Sequence, residues 1–86
     1  MWHIETTAAF DKSLAKFDKP VQRRIVGYLE EVGELDDPRV RGKGLTGDLG
    51  GYWRYRIGDY RVIVEILDAR LVVIAVTVAH RSEVYD

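Results

Sequence analysis

Arg54, Arg56 and Arg61 fall within the short stretch GGYWRYRIGDYRVIVEI, from Gly50 to Ile66. A guanidinium is permanently charged and planar, and its fork of donors matches a phosphate or a carboxylate. It does not exchange protons near neutral pH, so its chemistry is to hold an anion or to stabilise charge that develops during a reaction. The stretch alternates as a strand does. Trp53, Tyr55 and Ile57 share one face, and Tyr52, Arg54 and Arg56 share the other. Gly58-Asp59 reads as a two-residue hairpin turn. Such a turn sets Ile57 opposite Tyr60 and Arg56 opposite Arg61, with Val62, Val64 and Ile66 continuing the apolar face. Arg61, Ile63, Glu65 and Leu67 then continue the arginine face. Like charges directly opposite one another destabilise a sheet, so the pattern predicts an anion supplied from outside. A plainly solvated sheet face is the alternative.

A second stretch, AHRSEVYD from Ala79, adds further chemistry. His80 is a candidate acid–base group because an imidazole titrates near neutrality. Arg81 is a fourth guanidinium. Tyr85 either closes the core or stacks on a base. Placing these groups requires the register of the last strand, which hinges on the turn Asp68-Ala69-Arg70. A three-residue loop puts Leu71, Val73, Ala75, Thr77, Ala79 and Arg81 on the arginine face. A two-residue loop puts Val72, Ile74, Val76, Val78 and His80 there. The first is preferred, because it keeps the large Val and Ile side chains for the core and sends small ones under a ligand. His3 reads as structural. Two distant histidines and no cysteine make no metal set, and no cofactor is implied. Ser13 and Ser82 lack the setting of a nucleophile, and there is no glycine-rich phosphate loop.

The elements that must position these groups are short. WHIE near the start reads as a strand. Phe10, Leu14 and Phe17 recur at helical spacing behind Thr7, a suitable N-cap. Pro20 then opens a second helix whose apolar stripe is Val21, Ile25, Tyr28, Leu29 and Val32, with Gly33 near its end. A glycine-rich loop from residue 36 to 51 follows, with Leu45 and Leu49 expected to pin it to the core. Strands over 52–57, 60–67 and 71–79 complete the order. The expected fold is α+β: an N-terminal strand, a helical hairpin and a three-stranded antiparallel meander, with the helices on one face of the sheet, as a single domain spanning 1–86.

The chain has 86 residues, 47% hydrophobic and 31% charged, with a formal net charge of −1. That total argues against a generally cationic nucleic-acid binder. The distribution does not: residues 39–61 hold six Lys and Arg, including Lys43, against two Asp. Without cysteines or a long apolar run, the expected address is the cytoplasm, with no membrane contact.

Taken together, GLTGDLGGYWRYRIGDYRVIVEI, the Val/Ile-rich strand and AHRSEVY resemble the RelE branch of the RelE/ParE toxin superfamily, over essentially the whole chain. The resemblance implies a toxin of a prokaryotic type II toxin–antitoxin pair that cleaves mRNA in the ribosomal A site. It also implies a cognate antitoxin that covers the toxin, and contact with operator DNA only through the antitoxin complex. The reaction would be a metal-free transesterification through a 2′,3′-cyclic phosphate. Residue by residue, Arg61 and Arg81 would meet the phosphate, Arg54, Arg56 and Lys43 would hold the RNA backbone, and Tyr85 would meet the base. Some relatives carry a lysine where Arg56 stands, and a lysine can release a proton that an arginine keeps. The proton acceptor would then be His80, Glu65 or Tyr85. Two other functions stay open on the same fold: a ParE-like gyrase poison, and a catalytically weak regulator that only binds an antitoxin.

Overall fold

A computed structural model describes residues 1–83, so Tyr85, one of the expected site residues, lies outside the described part. The order is β1 (His3–Thr6), α1 (Ala8–Ala15), α2 (Lys19–Glu34), β2 (Lys43–Gly44), β3 (Tyr52–Ile57), β4 (Tyr60–Leu67) and β5 (Val72–His80). The strands form one sheet in the order β1-β5-β4-β3-β2. Only the β1–β5 pairing is parallel; His3 to Thr6 run beside Val72 to Ala75. Two helices therefore pack on a mixed five-stranded sheet, an α+β arrangement. The glycine-rich loop is not bare: it contains single-turn 3-10 helices over Pro38–Arg41 and Gly47–Leu49, and the edge strand β2.

Local chemistry accounts for the helices. Thr7 caps α1, its Oγ1 accepting from the Phe10 N–H at 3.1 Å. Asp18 precedes α2 and Pro20 sits in its first turn, where a missing N–H costs nothing. The apolar stripe of α2 delivers Ile25, Leu29 and Val32 to the core, each 3% exposed or less. Gly33 does not end the helix. It packs against the first strand, where an added Cβ would stand 3.0 Å from the Trp2 carbonyl oxygen, and its own carbonyl accepts from the Trp2 N–H. The sheet contributes Tyr55, Val62, Val64, Val73 and Ala75, all fully buried on the helix side.

The β3–β4 register is the expected one, with Arg56 beside Arg61 and Ile57 beside Tyr60. Gly58 has φ +59°, and among the non-glycine residues described only Leu71 has positive φ, so the turn follows the II′ pattern with Gly in the first position.

The β4–β5 register corrects both sequence expectations. Four residues, 68–71, make the connection, and Leu71 turns the chain in the left-handed region at φ 52° rather than opening the strand. Val72 and Ile74 then stand beside Leu67 and Glu65, which leaves Val73 and Ala75 to the core. The register shifts at Ile63/Val64, where Ala75 faces Val64 and Thr77 faces Ile63, so Val76 is an extra residue, a β-bulge. Beyond it Thr77 and Ala79 share the arginine face, as preferred from sequence, and Val78 returns to the core. One uniform alternation fails because β5 changes parity midway. The bulged carbonyl is taken up by Thr7, whose Oγ1 donates to Val76 O at 2.5 Å while its N–H donates to Ala75 O at 3.1 Å.

Candidate nucleic-acid interface

The sheet face away from the helices is laddered in three rungs. Arg56, Arg61 and Ala79 form the first, Lys43, Arg54, Ile63 and Thr77 the second, and Tyr52, Glu65 and Ile74 the third. Parity therefore gathers the guanidinium groups of two strands on one side. Over this face lies a cleft of about 690 Å³. Arg54 and Arg61 both line it, beside Ile63, Thr77 and Ala79. Arg54 is only 8% exposed, an unusual depth for an arginine. Arg61 is steadied at the turn, its Nη1 donating to Gly58 O and to Tyr60 O at 3.2 Å each.

The other expected site residues are distributed around this pair. Arg56 lines a second groove, of about 400 Å³, with Arg23 and Arg24 of α2. The covering strand β2 pairs only with Trp53 and Arg54, so at Arg56 the sheet edge is open and the side chain reaches round it. The Arg24 guanidinium lies over Gly58, where a Cβ would approach it to 2.6 Å. Lys43 is exposed beside Arg54. Glu65 shares the arginine face, two rungs from Arg61 and opposite Tyr52, and is not part of the cleft lining.

Arg81 is a correction to the expectation that it continues β5. The strand ends at His80 and Arg81 opens a 3-10 turn, its N–H donating to Asp59 O at 2.7 Å and its Nε 3.7 Å from Asp59 Oδ1. It stands at the hairpin tip, outside the cleft lining. His80 faces the other way, opposite Tyr60, with the two rings edge to face at 5.3 Å. Its Nδ1 accepts from the Ser82 N–H at 3.1 Å and lies 2.9 Å from Ser82 Oγ, which places the proton of the neutral ring on Nε2.

Several lining residues carry no signal in an alternation argument. Leu45 and Leu49 do not pin the loop to the core; they wall the cleft, and Leu49 stays 48% exposed. Asp48 arrives with them from the same loop, and Glu83 from the turn after β5. Glu83 Oε1 also accepts from the His80 N–H at 3.3 Å. Tyr52 does carry that signal, since it shares the strand parity of Arg54.

Behind the cleft the scaffold is tied by groups that burial and pairing shift. Tyr55 donates its phenol to Pro38 O at 2.8 Å, and burial raises its pKa well above the ordinary phenol value. Burial likewise raises that of Tyr28, whose ring lies 5.7 Å from that of Tyr55. Arg39 reaches across to Asp68 with a two-pronged contact, Nη1 to Oδ1 at 3.0 Å, and its hydrogen bonding holds the Asp68 carboxyl below the usual range.

The family model described as the ParE toxin of the type II toxin–antitoxin system parDE matches residues 4–85. The chain belongs to the RelE/ParE superfamily of type II toxins. It is also 32% identical over 85 residues to Toxin RelE of Mycobacterium tuberculosis, covering 98% of this chain and 86% of that protein. Among solved structures, this RelE-like fold superposes with TM-score 0.85 on the toxin–antitoxin complex RelBE2 of M. tuberculosis, at 24% identity and covering 94% of this chain and 92% of that one. It superposes with TM-score 0.75 on the RelE–RelB complex of Pyrococcus horikoshii, at 25% identity and covering 96% and 98%. The isolated RelE toxin of Escherichia coli gives TM-score 0.76 at 21% identity, covering 93% and 84%.

Proposed function

We propose that this toxin is an mRNA interferase, a metal-free endoribonuclease that acts on the ribosome and halts translation. The observation that supports it best is the convergence of Arg54 and Arg61, from adjacent strands, on one cleft. In the reaction the ribose 2′-oxygen attacks the adjoining phosphorus, the new O2′–P bond forms, and the P–O5′ bond breaks. The 2′-hydroxyl proton passes to a base, the 5′-oxygen receives one, and a 2′,3′-cyclic phosphate remains. Charge gathers on the non-bridging oxygens, where preorganised guanidinium groups stabilise it. Arg61 takes that role, with Arg54 holding the scissile phosphate from below and Lys43 extending the track for the backbone, while Arg56 meets the backbone only where it passes the sheet edge. Arg81 serves as a further contact at the hairpin end, and Tyr85 as a further contact to the RNA. The carboxylates that share the cleft with Arg61 are Asp48 and Glu83, and one of them is the proton acceptor in this scheme, ahead of Glu65 and His80. The natural inhibitor is a cognate antitoxin laid over the arginine face, as RelB accompanies RelE in the complexes above. Operator DNA is met only through that pair.

The deciding experiment is induced expression followed by primer extension on a reporter mRNA. Breaks at preferred codons support the interferase. A second reading, a ParE-like gyrase poison, is favoured by the name of the matching family model; intact mRNA with cleaved DNA and an SOS response would establish it instead.

A further inference from the structure

The cleft is uneven in charge. Arg54 and Arg61 lie on two of its rungs beside Ile63, Thr77 and Ala79, and beyond Arg54 its wall holds no arginine, only Leu45, Leu49 and Tyr52 with Asp48 of the same loop. Tyr52 precedes Arg54 by two strand positions, roughly 7 Å, on the same side of the sheet. Leu45 is held beside it, its N–H donating to Tyr52 O at 3.0 Å. A track for phosphates alone needs no such wall. A nucleotide carries an anion at one end and a flat, largely apolar ring at the other, and its two ends are complementary to the two halves of this cleft in charge and in polarity.

Resting on the interferase reading, we infer that Tyr52, flanked by Leu45 and Leu49, is the platform for the nucleobase attached to the phosphate that Arg54 and Arg61 hold. A single strand can present an unstacked base to an aromatic ring, and the contact tolerates any base because each has a π-face. The strand then lies with its backbone toward Arg61. Codon preference then arises from how the ring seats between Tyr52 and the two leucines.

Fluorescence anisotropy on the purified toxin tests this with two labelled tetranucleotide RNAs, one intact and one with an abasic ribose at the second position. The wild type is expected to bind the intact RNA about tenfold more tightly. Tyr52→Phe keeps that preference, and Tyr52→Leu, a variant that retains apolar bulk on the strand, abolishes it. Arg61→Ala weakens both RNAs by the same factor. If Tyr52→Leu keeps the preference while Arg61→Ala weakens both RNAs, the base platform is wrong and the phosphate site stands. If Arg61→Ala changes neither, the nuclease reading falls and the platform with it. A wild type that ignores the abasic change, or binds neither RNA, but takes a leucine- and aspartate-rich peptide that Tyr52→Leu no longer binds, overturns the platform in favour of a protein occupant. Circular dichroism melts of each variant separate lost contacts from lost folding.

Discussion

In the proposed reaction Arg61 is the residue on which the chemistry turns, because it combines a place in the cleft with a tether to the hairpin turn. Its removal withdraws one preorganised donor from the developing charge, and removal of such a donor costs roughly 10²–10³ in rate elsewhere. Arg61→Ala is therefore expected to lose growth arrest and codon-specific cleavage by about that factor, with an unchanged melt. The proton acceptor is distinguishable by pH. Glu83→Gln or Asp48→Asn, whichever removes the acceptor, flattens the acidic limb of the rate profile on isolated ribosomes, and the other leaves that limb in place. At a purely structural residue, Tyr55→Phe leaves the Pro38 carbonyl without its phenol donor in the core, at about 1–2 kcal/mol. A fall of several degrees in Tm checks it. Arg54 and Arg61 were legible in the sequence, since strand parity and a glycine turn are local rules. The departure of Arg56 was not, because it depends on β2 stopping short, and β2 has only two residues with no pattern of their own.

At the scale of the elements, β5 shows why alternation alone misplaced side chains. Nothing in VVIAVTVAH marks Val76 as extra; the bulge is made tolerable by Thr7, 69 residues away in the chain, which satisfies the freed carbonyl. Thr7→Ala removes both that bond and the α1 cap and is expected to destabilise by about 1–3 kcal/mol, measured by urea titration. It is also expected to lower cleavage, because Val76 and Thr77 line the cleft. The connection after β4 is braced by Arg39 and Asp68. The folded Asp68 carboxyl titrates below the ordinary range, so its stabilisation is complete above the unfolded pKa of about 4 and is lost as pH falls through the lower folded value. Asp68→Asn should thus melt earlier than the wild type at neutral pH and identically in strong acid. Helices and hairpin were readable from periodicity, caps and the Gly-Asp turn. The loop's leucines were not, since their side chains are placed by a 3-10 turn and a strand that only tertiary pairing creates.

For the molecule as a whole, a net charge of −1 conceals a segregated surface. The acidic residues concentrate before residue 39 and after 61; of the basic stretch between them, Lys43, Arg54, Arg56 and Arg61 go to the cleft face and its edge, while Arg39 and Arg41 pair with Asp68 and Glu31. RNA binding by this face is expected to weaken with salt, with a log–log slope near −1.4 if about two phosphates are held. Arg61→Ala should shallow that slope, and an unchanged slope would show that the affinity is not carried by this arginine.

The parallel pairing of β1 with β5 has a bearing on when such a toxin becomes dangerous. Residues 3–6 wait for 72–75 before the sheet can close, and the same late strand supplies one wall of the cleft. A nascent chain lacking it holds neither a finished core nor a formed binding surface, and contacts so distant in sequence form slowly. Synthesis itself thus imposes a delay before the surface is armed, an interval in which an antitoxin of the proposed kind would have time to arrive.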